Sequence, residues 1–142
     1  MEETKVTERT RRTTQNGVEE EMQWSRIFNI RDNREIRVLA EMIGDTNPLH
    51  HESEAAGGLN LPGIIAPGIM LLGFVSATIA GRIDKVRVRH MDVKFLKPVC
   101  APALIRVHCI VSKQKVGLTE ITVKLVNKQD VVAHGTCTVL LP

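Results

Sequence analysis

Residues 68 to 81, GIMLLGFVSATIAG, contain no acid, no base and no histidine. Their only polar side chains are Ser76 and Thr78. A helix that is apolar on every side must be covered on every side. Pro67, just before Gly68, suits a helix start, where a missing N–H costs nothing. The apolar stretch from Ile64 to Ala80 is broken by Pro67 and two glycines, so it fits a buried core helix rather than a membrane span. The remaining chain must therefore supply a wrapping for this helix.

The wrapping is legible as strands. From Val86 onward the sequence alternates with period two. Val86, Val88, His90, Asp92 and Lys94 are expected on one face of a long strand, and Arg87, Arg89, Met91, Val93 and Phe95 on the other. Further strands are expected over Ile105 to Val111, Leu118 to Asn127 and Val131 to Leu140. The short spacings between them imply antiparallel neighbours. Ahead of the central helix, Gln23 to Ile30 reads as one more strand. Asp32 then precedes Glu35 by three residues, the pattern of a helix cap with a capping-box partner. Ile36, Leu39, Ala40 and Ile43 share one helical face, and Gly44 stands where a left-handed terminator belongs. The fold class is α+β: one domain over residues 23–142, with a long antiparallel sheet curled around a buried central helix. One such sheet has open edges and covers only part of the helix, so a homodimer, or a dimer of dimers, is expected. Residues 1–22 are polar and charged and are expected to form a mobile tail.

Composition narrows the function. The formal charge of +3 is too small to imply a nucleic-acid partner. With no Tyr, one Trp and three Phe, stacking platforms for single strands are missing too. Cys100, Cys109 and Cys137 are odd in number and lack metal-type spacing, which points to reduced thiols and a cytoplasmic protein. Neither a signal peptide nor a transit peptide is evident, and no membrane partner is expected. Arg82 to Lys97 carries six basic residues against Asp84 and Asp92, a stretch able to attract phosphates or an acidic protein face.

The stretch that carries chemistry is GDTNPLH, residues 44 to 50. It sets a carboxylate, Asp45, and an imidazole, His50, on either side of Asn47-Pro48. Pro48 opposes a continuous helix and pushes Asn47 towards an extended conformation. The stretch therefore reads as a tight loop that bends two titratable side chains towards one point. Such a pair can take a proton from water and deliver one to carbon. Either residue alone would more often serve structure. His51 and Glu52 suggest a metal site, but adjacent side chains point apart and no distant partner is evident, so no metal is expected. Gly57-Gly58 is a turn rather than a phosphate cradle, since no helix with Lys-Ser/Thr follows.

The order of these parts (amphipathic helix, GDTNPLH, IAPGIMLLGFVSATIAG, then VKFLKPV and long strands) resembles the MaoC-like, or R-specific enoyl-CoA hydratase, family of hot-dog folds. The resemblance covers about residues 23 to 142. It implies that Asp45 and His50 are the catalytic pair and that Asn47 braces the loop. It also implies that the Gly68 N–H faces the thioester carbonyl and that Ser76 lies near the pair. Where the family commonly has His before the helix glycine, this chain has Pro67.

The implied activity is a lyase reaction, hydration of 2-enoyl thioesters or dehydration of 3-hydroxyacyl thioesters, with R stereochemistry and no cofactor. The substrate would be an acyl-CoA or acyl-carrier-protein thioester. The chemistry needs a base for water, a proton for C2 and donors for the thioester oxygen; the start of the central helix offers such donors. A non-catalytic acyl-CoA-binding subunit of the same fold is a different class, against which the intact pair argues. Thioester hydrolysis is disfavoured because the central helix carries no acid.

Overall fold

The computed structural model describes residues 22–142 with their side chains and, before them, the backbone of residues 3–7, 10–14 and 17–21. The expected tail, residues 1–22, lies but for Met22 outside the residues whose side chains are described. Its backbone carries β1 (Glu3–Thr7), β2 (Thr10–Thr14) and β3 (Gly17–Glu21). Then follow β4 (Gln23–Ile30), α1 (Asn33–Met42), a 3-10 turn (Pro48–His50), α2 (Ser53–Gly57) and α3 (Gly68–Ala80). Four long strands complete the chain: β5 (Arg87–Phe95), β6 (Ala103–Lys115), β7 (Leu118–Asn127) and β8 (Asp130–Leu140). The main sheet runs β1-β4-β6-β7-β8-β5, and each of its pairs is antiparallel.

This is the expected α+β architecture, with one sheet curled about α3. The alternation along β6, β7 and β8 turns Ile105, Val107, Cys109, Ile121, Val123, Leu125, Cys137 and Val139 inward, all fully buried. α3 meets them with Met70, Leu71, Phe74, Val75 and Ile79. β4 fastens the far end of the helix. Trp24 Nε1 donates to the Thr78 carbonyl at 3.0 Å and Arg26 donates to the Ala77 carbonyl at 2.9 Å. The Trp24 bond satisfies a last-turn carbonyl, and Arg26 gives the Ala77 carbonyl, which also accepts the Gly81 N–H, a second donor and sets a cation at the negative end of the helix dipole. The Phe28 and Phe74 rings stack at 4.4 Å.

Three expectations need correction. α3 is not buried all round: within one chain Ile69 is half-exposed, and Gly73 and Ala80 are exposed. A single sheet reaches only one side of a helix, and α1 is too short to cover the other. The alternation assigned to β5 also breaks. An irregularity between Val88 and His90 adds a residue, so Val88, paired with buried Val139, shares a face with Met91, Val93 and Phe95. Finally, the capping box is half made. Asp32 accepts the Glu35 N–H at 3.2 Å, but the Glu35 carboxylate turns to Arg31 Nε at 2.6 Å.

Candidate functional site

α1 ends in a Schellman motif. Gly44 takes φ +73°, its N–H donates to the Glu41 carbonyl, and the Asp45 N–H donates to the Ala40 carbonyl at 2.8 Å. Asp45 is thus pinned to a packed helix. Its Oδ1 accepts the Asn47 N–H at 3.0 Å, and Asn47 Oδ1 accepts the Leu49 N–H at 3.0 Å. Asn47 so caps the 3-10 turn that carries His50, and Pro48 opens that turn where no donor is needed. The loop's bracing by Asn47 is therefore a pair of consecutive side-chain-to-backbone bonds.

His50 is buried. Its Nδ1 lies 2.7 Å from the Ile65 carbonyl, and an oxygen of that kind only accepts, so Nδ1 carries the proton. In the neutral ring Nε2 then bears a lone pair. The nearest carboxylate oxygen to that nitrogen is Asp45 Oδ2, 3.6 Å away. The gap is too long for a direct hydrogen bond. Two acceptors at this spacing can each take one hydrogen of a single water molecule.

Two cavities flank the first turn of α3. One, of about 430 Å³, is lined by His50, Gly68, Leu71, Phe95, Leu96 and Lys97. The other, of about 320 Å³, begins at Ile69 and runs along the uncovered face of α3. Among the described residues, the Gly68 and Ile69 N–H groups have no acceptor, as expected for the first positions of a helix. A Cβ at Gly68 would meet Phe95 Cζ at 2.8 Å, so a side chain there would make the half-exposed ring shift. A further cavity, of about 420 Å³, lies on the outer sheet face beside His108 and Lys124. Burial and then the Lys124 and Arg106 charges hold the His108 imidazole below its usual range.

Asp45, Asn47 and His50 thus come together, with Gly68 lining the cavity into which His50 looks. Ser76 is not among the residues lining that cavity. It is half-buried on α3, about 12 Å along the axis from Gly68, and makes no described hydrogen bond to Asp45 or His50. Two contributors were not legible in the sequence. The Ile65 carbonyl fixes the His50 tautomer, and His51 donates from Nε2 to the Asp45 carbonyl at 2.6 Å. Arg37 in turn donates to the His51 carbonyl at 3.0 Å. The imidazole that suggested a metal ligand therefore spends that nitrogen on holding Asp45. Among the described residues no His, Cys, Asp and Glu side chains gather as a metal site, and no helix is long and apolar enough to cross a membrane. Cys109 and Cys137 are buried and protonated, their thiols pushed up to about 12 and about 11 by desolvation.

A family model described as "MaoC like domain" matches residues 2–133, so the match reaches into the segment ahead of β4. No curated protein sequence matches the chain. Among solved structures, protein af1124 from Archaeoglobus fulgidus superposes with TM-score 0.79 at 23% identity, over 92% of this chain and 83% of its own. The R-hydratase PhaJ1 from Pseudomonas aeruginosa gives 0.78 at 19%, over 95% and 89%. The (R)-hydratase from A. caviae involved in PHA biosynthesis gives 0.75 at 18%, over 83% and 94%. At these identities the likeness shows the fold.

Proposed function

The chain belongs to the MaoC-like domain family, and from that membership and the site's geometry we propose that it adds water to 2-enoyl thioesters, or removes it from 3-hydroxyacyl thioesters. The observation that carries this reading is the 3.6 Å approach of Asp45 Oδ2 to a His50 Nε2 whose lone pair is fixed by Ile65. One water donates to both. As its oxygen bonds to C3, a proton passes to the Asp45 carboxylate and a proton is returned to C2, with His50 orienting the water and sharing the charge. The free Gly68 and Ile69 N–H groups at the positive end of α3 suit the oxygen that gains enolate character. The long edge of β5, unpaired among the described strands, supports assembly as a homodimer.

The test is to add the protein to crotonyl-CoA and follow the loss of the conjugated absorbance, with chiral analysis of the product. We expect turnover and the R-3-hydroxy product. Carrier-linked substrate in the same assay assigns the thioester class. Tight thioester binding without turnover would sink the lyase reading and make the chain an acyl-CoA-binding subunit.

His51 offers a finer check. His51→Ala removes one hydrogen bond to the Asp45 backbone, worth about 1 kcal/mol. As a positioning residue it should lower kcat about tenfold with KM unchanged. A rise in KM at constant kcat would place it in substrate binding instead.

A further inference from the structure

We propose that the outer face of the sheet carries a binding site of its own, apart from the catalytic pair, which takes a diphosphate group in the cavity beside His108 and Lys124. Strand register builds it. Ser25 of β4 lies opposite His108 of β6, and His108 lies opposite Lys124 of β7. Lys124 in turn lies opposite His134 of β8, and His134 opposite Lys94 of β5. Directly paired residues share a face, so these five side chains form one row across the sheet. Their chain neighbours Val107, Cys109, Val123, Leu125 and Ala133 are fully buried, which turns the row away from α3. With strands about 4.8 Å apart, the row from His108 to Lys94 spans about 14 Å.

The charge on this row is unbalanced. Opposite charges on adjoining strands stabilise a sheet and like charges do the reverse. Here both residues paired with Lys124 are imidazoles. Arg106, one step along the same face of β6, donates to the Ser25 hydroxyl at 3.4 Å and sets a second cation at the rim of the cavity. Among the described residues, the carboxylates nearest in register are Asp92 and Glu120. Asp92 is on edge strand β5, opposite Thr136, and Glu120 is four residues along β7 from Lys124 and accepts the Ser112 hydroxyl. Asp130 is tied to Lys97. None of the three lines the cavity. His108 feels the resulting field: burial first, then Lys124 and Arg106, hold its imidazole below the usual range.

The lining selects the occupant. Gln23, Ser25, Thr122 and Lys124 can all donate hydrogen bonds, and no carboxylate lies among the lining residues. That set suits an oxyanion and opposes a cation. An imidazole held neutral by cationic neighbours gains a proton when an anion arrives, and so adds a charge-assisted bond to it. Two permanent cations, Lys124 and Arg106, on either side of one imidazole match two phosphoryl groups better than a single carboxylate. A volume of about 420 Å³ admits a diphosphate together with part of whatever carries it.

The experiment titrates the full-length protein with sodium pyrophosphate at constant ionic strength, following the heat of binding and the His108 ring signal by NMR. Saturable binding is expected, with the His108 pKa rising by about one pH unit at saturation. Lys124→Ala and Arg106→Ala should each raise Kd about tenfold or more, the loss of one charge-assisted hydrogen bond. Lys113→Ala removes an exposed lysine outside the row and should leave Kd unchanged. ADP in place of pyrophosphate names the source: tighter binding that Lys124→Ala abolishes supports the site as one for a nucleotide, and equal or weaker binding supports it as one for the inorganic ion. All three variants should act on crotonyl-CoA as wild type does. A wild type inactive on that substrate defeats the thioester reading and leaves this site standing, because the site uses none of the same residues. Absence of saturable binding overturns the proposal, as does binding that Lys113→Ala weakens as much as Lys124→Ala. A His108 pKa that pyrophosphate does not move overturns it too. Loss of an oligomer on Lys124→Ala, without pyrophosphate binding to wild type, would give the face to a second copy of the chain instead.

Discussion

Asp45→Asn is expected to reduce hydration of crotonyl-CoA by about 10²–10⁴-fold while the protein melts close to wild type. The separation of effects follows from what each oxygen does. Oδ1 holds the loop by accepting the Asn47 N–H, and an asparagine oxygen in that place keeps the bond. Oδ2, the atom directed to His50, becomes an amide nitrogen that cannot take a proton. His50→Asn makes the matching test. Its amide nitrogen falls near the position of Nδ1 and can still donate to the Ile65 carbonyl, whereas Nε2 has no counterpart. Activity should fall by a similar factor with the buried carbonyl still satisfied. Because the two groups handle one water together, the double variant should be little worse than either single one. Retention of more than about a tenth of wild-type kcat/KM by either single variant would show that the pair is not the proton-handling group.

The sequence carried the pair but not the means of holding it. Gly44 and the apolar face of α1 announced where Asp45 would stand, because helix termination is a local matter. Asn47-Pro48 announced a bend for the same reason. The acceptor that fixes the His50 tautomer is a main-chain carbonyl fifteen positions away, and no side-chain pattern marks a carbonyl. His51 was visible as a second imidazole, but no local pattern marked the turn of its ring to the Asp45 carbonyl. The strands followed from alternation until β5, where a single added residue reverses which side chains face inward. α3 was legible as apolar on all sides. How many layers surround it depends on the assembly and on ligand, and neither is local.

Gly135→Ala is expected to have the largest effect on stability of any small substitution in the main sheet. Gly135 lies on β8 between Val93 of β5 and Val123 of β7. A Cβ there would stand 1.8 Å from the Asp92 carbonyl oxygen and 2.8 Å from Val93 Cα. Both are backbone atoms, so no rotamer change relieves the clash and the two strands must part. Overpacking of this kind costs about 1–3 kcal/mol or more, a fall in Tm of about 5–10 °C. β5 ends the sheet and pairs with β8 alone among the described strands, so the strain falls on it. Phe95, at the end of β5, rests against Gly68 at the start of α3. Displacing β5 therefore moves a wall of the cavity beside His50, and kcat/KM should fall along with Tm. Gly57→Ala is the control, since its Cβ meets nothing within 4 Å in α2 and should leave Tm unchanged or slightly raised. If Gly135→Ala melted with the control, β8 and β5 would not approach as closely as described.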